Sequence, residues 1–409
     1  MTHSDDVDHL AECSACRQRF AANVVPFDPA ARRNREREFT SLAGKLERER
    51  DDSSDVVARY LRDTPTEEWS RLAEMPDLRN NAALEQMSEE VRRRLHRKPR
   101  EALAIANLSA SIAESLAPSQ YPSVVLAQLR GTAWKDRAST LRYLARYDEA
   151  LEAAERGEEA LAPFAALEHD RAVIRLVKGM IFLQTERFDE ALSIFQDCRQ
   201  VFREQGDLRR QVQAGIAQGS VLYDTTRYAE AFNLFREVLH DAIATDDVES
   251  QARVHNNLGY CATHLDDFVS ANIHFSEAIA KFTDLGYTAE VPRTERGAGL
   301  VLISKGHVSK GLAHLYAARR DFGAAGLTEE AGLCALRIAE VLVERGNESE
   351  ARAITQTVIE EFTVAGFDDR AIAALVRLRD SIDVDGATVA SVRTVHDYVE
   401  GLRTTHDTV

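Results

Sequence analysis

RYDEALEAA from Arg146, RFDEALSIF from Arg187, RYAEAFNLF from Arg227, DFVSANIHF from Asp267, HVSKGLAHL from His307 and NESEARAIT from Asn347 are versions of one short segment. The pattern is an aromatic or apolar residue, then polar ones, then a small one. The second residues are Tyr147, Phe188, Tyr228, Phe268, Val308 and Glu348, separated by one step of 41 residues and then by steps of 40. Recurrence at a fixed period means one supersecondary unit copied along the chain. Two further columns keep the step. Gly179, Gly219, Gly259 and Gly299, preceded by Ala138 and followed by Ala339, form one; Ala150, Ala191, Ala231, Ala271, Gly311 and Ala351 form the other. Small residues on two facing helices allow an approach closer than the usual axial distance of about 8–10 Å. A last column, Phe202, Phe282, Phe322 and Phe362, is followed four residues later by Gly206, Gly286, Gly326 and Gly366. That pattern predicts a helix whose final turn buries an aromatic ring and which stops at a left-handed glycine.

Each unit therefore reads as two antiparallel helices of about 15 residues each, because the apolar positions recur at helical rather than alternating spacing. In the fourth unit Leu258, Cys261 and Leu265 mark one helix, and Phe268, Ala271, Phe275, Ala278, Ile279 and Phe282 the next. Composition agrees: 9 Pro and 20 Gly in 409 residues leave few helix breakers, and 44% hydrophobic with 29% charged residues is the balance of a chain that folds. Six units are expected over 131–367. Ahead of them, 53–130 reads as a helical lead-in with a divergent pair, one helix over about 82–95 and the next opening at Pro99. After them, 368–409 reads as a capping pair, helices over 368–382 and 388–402, since an end repeat needs a cover for its apolar face.

The segment NNLGYCATHLDDFVSANIHFSEAI, residues 256–279, resembles a tetratricopeptide repeat. Leu258-Gly259 match the paired Leu-Gly of its first helix, and Phe268, Ala271, Phe275 and Ala278 match the aromatic and small positions that follow. The resemblance covers about 131–367. The period exceeds the family's roughly 34 residues by about six, which implies longer helices, and His255 stands where the family has its Trp. The expected fold class is all-α, a right-handed superhelical solenoid of antiparallel helix pairs.

The resemblance also implies a concave wall built from the first helix of every unit. In the middle units the residues expected there are Gln213, Ser220 and Tyr223 with Asp224; Arg253, Asn256, Asn257 and Tyr260 with His264; and Arg293 and Arg296. Leu176, Met180 and Leu183 in the second unit, and Leu336 and Val343 in the sixth, are apolar instead. Paired Asn side chains donate and accept, as a peptide backbone does, and Arg253 and Arg296 suit bidentate capture of a carboxylate. The same residues also satisfy a simpler description, a wetted inner surface without a ligand.

Near the amino terminus, His9-x3-Cys13-x2-Cys16 is the one metal-like cluster in the sequence. On a helix, steps of four and three place the imidazole and two thiols on one side, and that donor set suits tetrahedral zinc. The spacing resembles the zinc-binding anti-sigma module of bacterial regulators, which implies one zinc per chain and a sigma factor as partner. The family's further ligand lies well upstream, so the resemblance leaves the fourth position to His3, Asp5 or Asp6, or to sequence ahead of Met1. Two reduced surface thiols beside one imidazole meet the same spacing. Residues 1–25 are read as this incomplete zinc-binding segment and 26–52 as a charged linker helix, whose mixed charges over 31–50 describe a solvated face.

Lys plus Arg number 51 and Asp plus Glu 67, a net charge of −16 that repels a phosphate polyanion, so no nucleic-acid partner is expected. No apolar run approaches the span of a bilayer, so no membrane partner is expected, and the location is read as cytoplasmic. Phosphate-loop, His-Glu-x-x-His and nucleophile-elbow motifs are all missing. Cys198, Cys261 and Cys334 sit where the repeat asks for small apolar residues. The expected role is thus binding rather than catalysis: a bacterial scaffold or regulator holding a peptide or protein segment, with anti-sigma-like transcriptional regulation from the zinc-type motif. The alternative is a structural adaptor with a vestigial Cys cluster and no metal.

Overall fold

A residue in the left-handed region ends nearly every long helix of the repeat array, and these residues recur every 20 positions: Glu186, Gly206, Thr226, Asp246, Asp266, Gly286, Gly306, Gly326, Gly346 and Gly366. The structure, a computed structural model, describes residues 41–49, 56–382 and 388–406. His9, Cys13 and Cys16 lie outside the described residues, as does most of the charged linker. Every described element is helical, α-helix or short 3-10 turn, and no strand occurs among the described residues. Among those residues no helix is long and apolar enough to cross a membrane.

The chain divides into two units, Met1–Pro163 and Phe164–Val409. The first contains α1 (Val56–Asp63), 3-10 turns at Thr66–Glu74 and Pro76–Leu78, α2 (Asn81–Arg94), α3 (Pro99–Ser115), α4 (Ser123–Tyr143) and α5 (Tyr147–Leu161). The divergent pair expected upstream is α2 and α3. Asn80 starts α2 by accepting a hydrogen bond from the Ala83 backbone N–H, and Pro99 occupies the first turn of α3, where no N–H is needed. Residues 41–49 are helical and are anchored on one face. The Lys45 ammonium lies 3.9 Å from the centre of the buried Tyr121 ring, and the Tyr121 hydroxyl donates to Glu49 at 2.7 Å while accepting from the Asn81 N–H at 2.9 Å. Here the mixed-charge face read as solvated carries part of a packed corner. Stem packing and a buried phenol explain why charge pattern alone does not reveal it.

The second unit contains α6 (Glu168–Gln184), α7 (Phe188–Glu204), α8 (Leu208–Asp224), α9 (Tyr228–Ala244), α10 (Val248–His264), α11 (Phe268–Asp284), α12 (Glu290–Ser304), α13 (Val308–Ala324), α14 (Thr328–Glu344), α15 (Glu348–Ala365), α16 (Asp369–Ile382) and α17 (Val389–His406). Pairs two to six are α6/α7, α8/α9, α10/α11, α12/α13 and α14/α15; α4/α5 is the first pair, in the other unit. Helices such as α7, α8 and α10 run 17 residues, two more than the sequence reading gave, and three residues complete the 20-residue step.

The turns from α6 through α16 are Schellman motifs. At the end of α7 the Asp207 N–H donates to the Phe202 carbonyl (2.9 Å) and the Gly206 N–H to the Arg203 carbonyl (3.2 Å); Asp207 then caps α8 by accepting from the Arg210 N–H. The column of aromatics follows from this geometry. The residue after the left-handed position packs on the buried ring, as Tyr287 stacks on Phe282 (6.1 Å) and Phe367 on Phe362 (4.2 Å).

Thr226 holds φ +61°, where its branched side chain is crowded. Thr226→Gly is expected to raise the free energy of unfolding by about 1 kcal/mol, read as a higher urea midpoint. A lower midpoint would show that the threonine side chain stabilises the turn.

The two columns of small residues meet inside each pair. A Cβ on Gly179, Gly219 or Gly259 would sit 2.6, 2.4 or 2.6 Å from a ring carbon of Phe195, Phe235 or Phe275, all three of which are buried. The first helix thus offers a notch and the second fills it with an aromatic ring. In pair five the ring is replaced by Leu315, and the backbones of Gly299 and Gly311 close on each other directly. Cys198, Cys261 and Cys334 are buried, and burial pushes the Cys261 and Cys334 thiols up to about 12. They are core residues, as their position in the repeat requires.

Candidate functional site

Consecutive first helices touch one another, α6 with α8, α8 with α10 and α10 with α12. The second helices are bridged instead by long side chains, such as Arg199 to Glu237 and Arg319 to Glu361, both at 3.1 Å. First helices therefore line the inner side of this unit, and residues 40 apart fall on one column of its wall. Gln213, Arg253 and Arg293 form a column of exposed residues; Ile216, Asn256 and Arg296 form the next and are half-buried. Asn257 faces the wall beside Gly297, and Ser220, Tyr260 and Leu300 make a further row.

Four rings tie pair three to pair four. The Tyr223 hydroxyl and His264 Nε2 are 3.0 Å apart, Tyr228 stacks on His264 at 4.2 Å, and Tyr223 meets Tyr228 edge-on at 5.3 Å and Tyr260 at 6.1 Å. Tyr260 in turn stands edge-on to the core ring of Phe275, 5.3 Å away. Burial, then the Lys305 ammonium, lowers the His264 pKa, and burial raises that of Tyr223. Both shifts favour the uncharged forms, so the contact is a hydrogen bond between a phenol and an imidazole rather than an ion pair. Tyr260 reaches its place because residue 297 has no side chain: a Cβ there would fall 1.6 Å from the Tyr260 hydroxyl oxygen.

The expected polar residues separate into two sets. Arg253 is engaged by Glu249 (2.9 Å), which also accepts from the Tyr287 hydroxyl, and Arg293 by Glu290 (2.9 Å). Ser220 donates to the Ile216 carbonyl of its own helix, and Gln213 is exposed. By contrast Asn256 Oδ1 is buried without a hydrogen-bond partner. Arg296 forms no ion pair with a described residue; its guanidinium lies 5.9 Å from the Phe322 ring centre. Asn256, Asn257 and Arg296, half-buried near the Tyr260 ring, keep hydrogen-bonding capacity, as the exposed Gln213 does. A carboxylate clamp made by Arg253 and Arg296 together would first have to displace Glu249.

Two features of the wall escaped the sequence reading. Tyr228 belongs to the repeated aromatic column of the second helices, and only the fold shows that its ring stacks on His264. His255 and His274 meet Nδ1 to Nδ1 at 3.0 Å, and 40 residues on Glu295 and His314 make the equivalent contact. Burial, reinforced by the neighbouring His274, pushes His255 down to about 4, and burial lowers His274 as well. The matching 19-residue separation within each pair was the available signal.

No family model matches the chain, and no curated protein matches it. Solved structures do. A Rap protein complexed with competence and sporulation factor has a TM-score of 0.51 at 14% identity, over 85% of this chain and 99% of that one. The apo form of the quorum sensor NprR from B. thuringiensis has a TM-score of 0.51 at 12% identity, over 84% and 99%. A signal transduction ATPase with a tetratricopeptide repeat sensor from Pyrococcus horikoshii has a TM-score of 0.50 at 11% identity, over 86% of this chain and 55% of that one. At these identities the likeness is one of fold: the chain is built as a tetratricopeptide-like superhelical solenoid.

Proposed function

We propose that the protein is an interaction scaffold or regulator that holds an extended peptide or protein segment along α8, α10 and α12. The observation that carries this reading is the unpartnered, buried Asn256 Oδ1, on the same wall as Asn257 and Arg296 and one helical turn before Tyr260 of the aromatic cluster. A buried acceptor without a donor costs free energy, and a backbone N–H from a bound segment would satisfy it. Asn257 adds a donor and an acceptor, and Arg296 an acid-binding fork. The names of two structures of this fold, a complex with a signalling factor and a quorum sensor, are in keeping with that role.

The test is Asn257→Ala combined with Arg296→Ala. Capture of natural partners is expected to fall about tenfold or more, as for the loss of a binding hot spot, with the thermal unfolding midpoint unchanged. Undiminished capture by the folded double variant would refute the assignment and favour the structural adaptor.

A metal-dependent, anti-sigma-like activity is the finer part of the proposal and is supported by the His9, Cys13 and Cys16 pattern alone. One imidazole and two thiolates suit zinc and would hold it as a structural ion, with the fourth donor from His3, Asp5 or Asp6. The purified chain is expected to carry about one zinc, and Cys13→Ser to carry none. Metal analysis that finds no zinc in the wild-type chain removes this part and leaves the groove reading untouched.

A further inference from the structure

Pair six breaks the pattern of the wall. Where α8, α10 and α12 place exposed Gln213, Arg253 and Arg293, α14 places Leu333 with 1% exposure; where they place half-buried Ile216, Asn256 and Arg296, it places Leu336 with 0%. Glu340, in the column of Tyr260, is buried as well. The cover is α17. In pairs two to six each second helix packs chiefly on first helices at its flanks, but α17 packs chiefly along α14 and less on α16, which itself lies against α15. Of the expected capping pair, then, α16 continues the stack and α17 turns back over the inner face.

α17 meets that face as an amphipathic helix. Val392, Val395, His396 and Val399, at i, i+3, i+4 and i+7, supply its apolar stripe. The three valines join the core of Leu333, Leu336 and Leu342, Val395 only partly buried, and His396 is buried too. Its register is set by charge. Arg393 Nε donates to Glu340 at 3.1 Å, and Arg337, which also holds Glu340 at 2.9 Å, faces Asp397 at 3.9 Å. Glu340 and Arg337 stand in the columns of Tyr260 and Asn257. One helix thus occupies, in cis, the part of the wall that the middle pairs leave open.

The geometry points to a helix-binding site on the inner face of α14, with α17 as its built-in ligand. Its trans partner is an amphipathic helix carrying apolar residues at i, i+3 and i+7, a base at i+1 and an acid at i+5. α14 is held from two other sides by α13 and α15, so release of α17 leaves its support in place. On α17 the charged side chains lie at the rim, Arg393 and Asp397 being 57% and 60% exposed, so they return to water when α17 leaves; on α14 Glu340 is buried, and reversing its charge would set a poorly solvated cation against Arg393. This is the helix-in-groove mode of recognition, and it stands apart from the reading of α8, α10 and α12.

The test uses the full-length chain and a fluorescein-labelled synthetic peptide of residues 388–406. In the wild type, α17 competes with the probe and lowers its apparent affinity. Val392→Asp with Val399→Asp weakens α17 alone, and the variant is expected to bind the probe about tenfold or more tightly than the wild type does. Adding Glu340→Arg should remove that gain, and a probe carrying Arg393→Glu should restore it. A folded variant that binds no probe overturns the proposal. If the double variant does not fold, native-state hydrogen exchange on the unchanged chain decides. Amides of α17 exchanging about tenfold or more faster than those of α15 support a displaceable ligand, and equal rates overturn it.

Discussion

Phe275→Ala is expected to lower the free energy of unfolding by about 4 kcal/mol. The ring has 1% exposure and fills the notch that Gly259 leaves in α10, among Ala262, Ala271 and Ala298. Those neighbours are too short to close the cavity. Urea denaturation of the full chain checks the figure, and a loss below about 1 kcal/mol would contradict a buried, fully packed ring. Phe275→Leu, which keeps most of the volume, should cost less than half as much. The effect also reaches the wall, because the edge of Phe275 supports the Tyr260 ring. Truncation should therefore weaken partner capture even under conditions where the chain remains folded.

Gly299→Ala is expected to cost about 3 kcal/mol, at the upper end for an overpacked core. The added methyl would come 2.7 Å from the Gly311 carbonyl oxygen and 2.9 Å from Leu315. At Gly179 or Gly219 the obstacle is a ring, which can tilt; at Gly299 it is backbone, and relief requires α12 and α13 to separate. Gly311→Ala should behave alike, since its Cβ would meet the Gly299 oxygen at 2.5 Å. Thermal unfolding of both variants beside Gly323→Ala, a position with open space around it, separates this contact from the general effect of losing a glycine. Equal midpoints for all three would contradict it.

What the sequence made legible was whatever packing imposes on side-chain size. Gly259, Ala271 and Phe275 have to be small, small and aromatic, and they recur because the same contact recurs. The 20-residue rhythm of the turns was hidden because Glu186, Thr226, Asp246 and Asp266 take the left-handed conformation without being glycine, their hydrogen bonds outweighing the local strain. On the wall, Tyr223 and Tyr260 followed from register alone. The engagement of Arg253 by Glu249 was implicit in their four-residue spacing, whereas the stacking of Tyr228 on His264 depends on where one pair lies against the next. The apolar Leu336 was visible in the sequence, but the identity of its cover was not: the stripe of α17 is that of any amphipathic helix, and only the fold selects α14 as its partner.

The uniform turn has an evolutionary and engineering consequence. Because the link at Gly206 has the same hydrogen bonds as those at Asp246, Gly286 and Gly326, excising or duplicating 40 residues between two such links splices like ends together. The array can grow or shrink by whole modules, each junction inheriting a ready-made hinge, while the tailpiece that folds over the final module travels with it unchanged.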